Sequence, residues 1–167
     1  MARCPICRVP HHRLGRRPVL RALVAAPRAL ARAVAGVSRR RLGRRPARGE
    51  WSPTEVLGHL VDAELTLGFR IRKLAAEPGA PIIAWDQDRW TAGLRHRRAD
   101  PKMLTAAYGA LRVANVDQVR RMTPAQRRAA GRHPEYGRLR VEQMLAHWAE
   151  HDLNHIEQIR AALSAGR

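Results

Sequence analysis

Apolar residues recur with helical spacing in four stretches of this chain, and no long stretch alternates apolar and polar residues as a strand would. The four stretches cover about residues 18–37, 52–77, 100–122 and 140–163. We therefore predict an all-α protein, a four-helix bundle in which the four apolar stripes face a shared core. Pro27 lies inside the first stretch and is expected to bend that helix.

Two of these helices begin with recognisable capping residues. Ser52 can cap the free N–H groups of the second helix, Pro53 suits its first position, and Glu55 completes a capping box. Asp100 and Pro101 give the third helix a similar start.

The connection between the second and third helices is unusually long, covering residues 78–99. A tight link between antiparallel neighbours needs far fewer residues, so we predict a long crossover connection or a functional loop. Trp85 and Trp90 lie in it. They either wall a pocket or cover the apolar end of the bundle, and the sequence does not choose between the two.

The length of 167 residues suits a single domain, which we place at residues 18–165. Residues 1–17 have little apolar content, and we expect a basic, disordered arm. Cys4 and Cys7 in this arm, with His11 and His12, form only a weak zinc motif because no second CxxC follows. The low cysteine content favours a reducing, cytoplasmic location, and no apolar run approaches the roughly 20 residues of a membrane span.

The formal net charge of +18 is concentrated at one end of the chain. Residues 1–49 contain 14 arginines and no acidic residue, whereas the remainder carries only +4. Nearly all the basic residues are arginine, which is typical of GC-rich coding as much as of phosphate binding. We regard nucleic acid as an unlikely partner. The alternative to an enzyme is nevertheless a non-catalytic helical binding module whose basic N-terminal region contacts nucleic acid or an anionic surface.

Three histidines follow one another at four-residue spacing on the fourth helix: His147, His151 and His155. Two imidazoles one helical turn apart can bind the same metal ion. His147 and His155 are too far apart to share one, at roughly 12 Å along the helix axis. The candidate pairs are therefore His147 with His151, or His151 with His155. The alternative is that these are ordinary helix histidines without a metal-binding role.

A third ligand has to come from another helix, and His59 on the second helix is the candidate. If the second and fourth helices are antiparallel, His59 lies level with His151 and His155; if they are parallel, it lies level with His147. His96 and His133 are expected in loops without a ligand role, although His133 could border a pocket.

The chain resembles the DinB/YfiT-like family of metalloenzymes. The similarity lies in residues 50–64 (EWSPTEVLGHLVDAE) and 151–159 (HDLNHIEQI), with further likeness at 81–90 (PIIAWDQDRW) and 133–137 (HPEYG). This resemblance implies a four-helix bundle with one divalent metal ion (Zn, Ni, Mn or Fe) held by His59, His151 and His155. Characterised relatives resemble S-transferases or isomerases that use a small thiol of the bacillithiol or mycothiol type, and family members often pair, so a homodimer is possible.

Further roles follow from this mapping as expectations. His147 is expected to line the pocket, and Asp152 or Glu64 to orient a ligand histidine unless each forms an ordinary surface ion pair. Arg89 and Arg95 are candidates for binding an anionic thiol. The expected substrate is a small molecule.

Overall fold

The computed structural model describes residues 13–15 and 17–165. Its elements, in chain order, are α1 (Val19–Val34), α2 (Arg39–Leu42), α3 (Pro53–Ala76), α4 (Gln87–Gly93), a 3₁₀ turn (His96–Arg98), α5 (Pro101–Arg121), α6 (Pro124–Arg128), β1 (Ala130–His133), β2 (Gly137–Arg140) and α7 (Val141–Ala165). The four long helices α1, α3, α5 and α7 form the predicted four-helix bundle. Each begins and ends within three residues of the predicted bounds, and Pro27 lies inside α1.

Two apolar clusters show how the four helices run. One contains Leu23, the second halves of α3 and α5, and the first half of α7. The other contains the remainder of α1, Tyr108, the first residues of α3, and Ile156 and Ile159 of α7. Helices α1 and α7 thus run from the first cluster to the second, and α3 and α5 run in the opposite direction. Helix α3 is therefore antiparallel to α7, which brings His59 level with the second half of α7.

The N-terminus of α3 is fixed by the capping box that its sequence predicts. The Ser52 hydroxyl accepts a hydrogen bond from the Glu55 backbone, and the Glu55 carboxylate accepts one from the Ser52 backbone at 2.8 Å. Arg45 forms an ion pair with the same carboxylate. Because His59 lies one turn beyond Glu55, this cap holds the helix start that carries the histidine.

A two-stranded antiparallel sheet, which the sequence pattern did not predict, precedes α7. Strands β1 and β2 pair so that Ala130 lies opposite Arg140 and His133 lies opposite Gly137. Residues 79–82 lie beside β1, where the Ile82 N–H donates to the Arg132 carbonyl at 3.0 Å. The hairpin therefore binds the start of the connection between α3 and α5.

The connection between α3 and α5 covers the side of the bundle where α3 and α7 meet. Ile82 packs into the first apolar cluster, and the Trp85 ring stacks on His59 further along α3. The His96 ring then lies against Gly58, where an added Cβ would be 2.3 Å from it. Residues 77–100 thus begin beside the end of α3 and finish beside its beginning.

The described end of the N-terminal arm contacts the bundle. The backbone N–H groups of Arg13 and Leu14 donate to the buried Glu150 carboxylate of α7 at 2.7 and 2.5 Å. These two residues belong to the segment 1–17, for which disorder stays a prediction. The candidate zinc motif at Cys4, Cys7, His11 and His12 lies outside the described residues. Among the helices of the described part, none is long and apolar enough to cross a membrane.

Candidate metal centre

His59, His151 and His155 meet between α3 and α7. One nitrogen from each ring lies within 4.8 Å of the other two. The Nε2 atoms of His59 and His151 are 2.9 Å apart, and both side chains are buried. The His155 ring is centred 4.6 Å from that of His59 and 4.3 Å from that of His151.

The donor atoms of this cluster are suited to a cation. The Gln158 carboxamide oxygen is 2.7 Å from Nδ1 of His155 and accepts its proton, which leaves Nε2 of that ring with a free lone pair. Burial lowers the pKa of His59 and His151 well below the usual value, and the neighbouring histidines lower it further. The rings are therefore neutral at pH 7, which is the form that ligates a metal.

Two nitrogens that each lie about 2.0–2.1 Å from one shared ion are separated by about 3 Å. The contact between His59 and His151 has this length, and without a shared cation at least one of the two nitrogens would have to carry a proton directed at the other. A divalent ion therefore fits the residues that are present.

Aromatic rings enclose His59. Trp85 stacks on it with ring centroids 5.5 Å apart, and Trp51 lies against it at 5.0 Å. Trp90 meets the edge of Trp85 at 5.0 Å but is 39% exposed. Trp85 thus walls the histidine cluster while Trp90 supports it from outside. Trp51 is a site residue that the sequence pattern did not indicate, although its position immediately before the α3 cap places it beside His59.

A cavity of about 200 Å³ opens beside the cluster. Helix α3 contributes His59, Ala63, Leu67 and Arg70 along one face; α7 contributes His147 and His151; the hairpin region contributes His133, Glu135 and Tyr136; the connection contributes residues 84–87. His147 lines this cavity, with its ring 5.7 Å from that of His151. His133 is buried at the end of β1 and lines it too, rather than lying in a loop.

Glu64 and Asp152 do not orient a ligand histidine, and neither forms a surface ion pair. Both are buried and bind Arg112 of α5, whose Nε is 2.9 Å from Glu64 and whose Nη1 is 2.5 Å from Asp152. The guanidinium also lies between the Tyr108 and Trp148 rings, at 5.0 and 4.9 Å. The other oxygen of Asp152 is 4.0 Å from Nδ1 of His151, too far for a hydrogen bond.

His96 lies in the 3₁₀ turn of the connection and is buried. Its Nε2 is 2.6 Å from the Asp62 carboxylate, one turn after His59 on α3. This pair fixes the 3₁₀ turn against α3 beside the histidine cluster. Arg89 and Arg95, the candidates for binding an anion, are both exposed and do not line the cavity.

Comparisons with known proteins agree with this architecture. A Bacillus licheniformis protein named "Putative metal-dependent hydrolase" is 28% identical over 141 residues, which cover 83% of this chain and 80% of the relative. The solved structure of YfiT from Bacillus subtilis, described as a probable metal-dependent hydrolase with an unusual four-helix bundle topology, superposes with a TM-score of 0.81. It is 23% identical, and the match covers 86% of this chain and 83% of YfiT.

The sequence profile of the DinB superfamily matches residues 22–159. That range contains all four bundle helices apart from their outermost ends, the connection between α3 and α5, and the three clustered histidines. The chain belongs to the DinB superfamily.

Proposed function

We propose that this protein is a metal-dependent enzyme in which His59, His151 and His155 bind one divalent ion, Zn, Ni, Mn or Fe, beside a pocket for a small molecule. The observation that carries the proposal is the convergence of three neutral imidazoles from two helices, two of which, His59 and His151, also line a cavity. Three protein ligands leave a coordination position open, which is typical of a catalytic site rather than a structural one.

When bound, a divalent ion supplies Lewis-acid chemistry and lowers the pKa of a water or thiol, so that a nucleophile forms at neutral pH. The surrounding residues prepare that position. Gln158 fixes the orientation of His155, and Trp51 and Trp85 exclude water from one side of His59. The cavity beside His59 and His151 receives the substrate. His147 lies on its wall, where it can accept or donate a proton during the reaction.

Hydrolysis is the first candidate reaction. Both similar proteins carry names that describe them as metal-dependent hydrolases, one putative and one probable. In this reaction water is the nucleophile, and a base on the cavity wall accepts its proton. His147 is the nearest such side chain to His151 along α7.

Thiol transfer, of the kind that uses bacillithiol or mycothiol, is the second candidate. The carboxylates that the sequence suggested as supports of the ligands, Glu64 and Asp152, both bind Arg112 and are not available as general bases. A thiol needs less help than water to lose its proton, because its ordinary pKa is only about 8.5. The site therefore also suits a thiolate that attacks an electrophilic carbon.

One assay with two arms tests the proposal. Zinc-loaded protein is given p-nitrophenyl esters without thiol, or cysteine with 1-chloro-2,4-dinitrobenzene, in which a C–S bond forms and chloride leaves. Turnover in the first arm supports hydrolysis, and turnover in the second supports thiol transfer. Either activity should disappear in His151→Ala and persist in Gln118→Ala, a surface variant on α5. The proposal is contradicted if the zinc-loaded wild type is inactive in both arms, or if the His151→Ala variant is as active as the wild type.

A further inference from the structure

The cavity beside the histidine cluster extends along α3 to a buried arginine. His59, Ala63, Leu67 and Arg70 lie on one face of the helix, spaced by about one turn, and all four line the cavity. The backbone rises roughly 16 Å from His59 to Arg70. Because helical side chains lean toward the N-terminus, the Arg70 side chain reaches back toward the histidines. The cavity therefore has a metal-binding end and a cationic end.

Arg70 is only 3% exposed, yet it forms no ion pair within the described residues. Its Nε and Nη2 atoms donate to one acceptor, the Ile83 carbonyl, with the Nε contact at 3.0 Å. A guanidinium has five N–H donors, so most of its capacity is not used by this carbonyl. This differs from Arg112, the other buried arginine near the site, which binds two carboxylates.

The charge of Arg70 persists in this position. Burial lowers its pKa to about 10, so the side chain remains protonated at pH 7. A buried cation without a counter-ion is costly, and the cost falls when an anion binds to it. Tyr136 and Glu135, which also line the cavity, partly oppose this lowering of the Arg70 pKa, but Glu135 and the neighbouring Asp86 are exposed, so solvent screens their charges.

His133 adds a second donor at this end. It is 3% exposed, and its Nδ1 accepts a hydrogen bond from the Glu135 backbone N–H at 3.2 Å. Burial and the neighbouring Arg70 lower its pKa, so the ring is neutral and carries its proton on Nε2. Arg70 and His133 thus offer a cationic fork and a neutral N–H to the same small cavity.

We infer that Arg70 and His133 form a binding subsite for a carboxylate, and that the substrate is a small carboxylate-bearing molecule whose reacting group lies at the histidine cluster. The size of the cavity, about 200 Å³, is below the roughly 300–1,000 Å³ of pockets for drug-sized ligands and favours a short molecule. This inference rests on the proposed function for the reacting end, whereas the carboxylate end depends only on the two side chains.

The test compares an acid with its uncharged amide. 3-Mercaptopropionate and 3-mercaptopropionamide are titrated calorimetrically into zinc-loaded protein whose zinc content has been measured. The wild type should bind the acid at least about tenfold more tightly, because a hydrogen-bonded charge pair replaces a neutral contact. This preference should fall to about one in Arg70→Gln and be reduced in His133→Gln. Arg89→Gln removes the same charge from an exposed position nearby and should keep the full preference.

Equal affinities in the wild type, an undiminished preference in Arg70→Gln, or an equal loss in Arg89→Gln would overturn the inference. If Arg70→Gln does not unfold cooperatively, the wild-type preference and His133→Gln decide the matter. A parallel titration uses metal-free protein with propionate and propionamide, followed by ligand-detected NMR. A carboxylate preference in this titration, together with a protein that does not bind zinc, supports the subsite and refutes the metal site. Zinc binding without any carboxylate preference supports the metal site and refutes the subsite.

Discussion

Arg112 donates a hydrogen bond to Asp152 at 2.5 Å, and the same guanidinium binds Glu64. Asp152 directly follows His151 in the sequence. Burial and the nearby Asp152 raise the pKa of Glu64, while Arg112 opposes that rise. Three helices are tied together at this point: α3 through Glu64, α5 through Arg112 and α7 through Asp152. Helix α1 joins them, because Arg112 also donates to the Leu23 carbonyl at 3.1 Å.

Arg112→Ala should therefore lower the free energy of unfolding by about 3–5 kcal/mol, because it leaves two buried carboxylates without a counter-ion. Denaturant titration measures the change. Arg121→Ala is the matched control, since Arg121 forms an exposed i,i+4 pair with Asp117 and an exposed hydrogen bond to Gln118, and its loss should change stability by less than about 1 kcal/mol. Similar losses in the two variants would show that the buried network is not stabilising.

Gly58 is required by the close approach of His96 to α3. An added Cβ would meet the His96 ring at 2.3 Å, so Gly58→Ala should displace the 3₁₀ turn and break the contact between His96 and Asp62. We expect a loss of about 1–3 kcal/mol by denaturant titration. Gly109→Ala on α5 meets no atom within 4 Å and should instead stabilise the protein by up to about 1 kcal/mol. A stabilising Gly58→Ala would contradict this packing.

Gln158 is expected to strengthen metal binding without touching the ion. Its carboxamide oxygen accepts the Nδ1 proton of His155 and so fixes which nitrogen faces the cluster. Gln158→Leu should weaken zinc affinity by about 10- to 100-fold, measured by competition with a chromophoric chelator. The variant Gln118→Ala should bind zinc as the wild type does. An unchanged zinc affinity in Gln158→Leu would show that Gln158 does not support metal binding.

Glu55 should make the stability of the fold depend on pH in the acid range. Burial by itself would raise the pKa of this carboxyl, but hydrogen bonds from Arg45 and Ser52 lower it from 4.5 to about 2. The unfolded chain therefore takes up the proton first, and the stabilisation is present above about pH 4.5 and is lost as the pH falls toward 2.

Glu55→Gln keeps the cap but removes this titration. The difference in unfolding free energy between wild type and variant should shrink by about 1–2 kcal/mol between pH 5 and pH 2, a value reduced by the exposure of Arg45. Glu77→Gln, at an exposed pair with Lys73, should show little change over the same range. A constant difference for Glu55→Gln would contradict the assignment.

The helices could be predicted because their signals are local. The capping box at Ser52 and the apolar stripes place all four long helices, and histidines one turn apart on α7 share a face wherever that helix packs. The hairpin could not be found in this way. Its strands have four residues each, and the exposed positions of β1 and β2 are arginines in a chain where arginine is common.

The contacts of Arg112, Arg70 and His96 could not be predicted, because they depend on the packing of distant segments. Arg112 is 48 residues from Glu64 and 40 from Asp152, and nothing local separates it from the other arginines. The sequence did propose Glu64 and Asp152 as supports for a ligand histidine, but an arginine from α5 binds them instead. Two features of the site were restricted by the sequence itself: His59 lies about two turns after a defined helix start, and the α7 histidines share a face through their four-residue spacing.

The central claim is that His59 and the two α7 histidines hold one metal ion, and metal analysis of purified protein tests it most directly. Wild type, His59→Ala and His147→Ala are expressed and dialysed identically, and Zn, Ni, Mn and Fe are measured for each. We predict close to one ion per chain in the wild type and in His147→Ala, and a loss of at least tenfold in His59→Ala. Full metal content in His59→Ala, or no metal in a folded wild type after loading, would contradict the account.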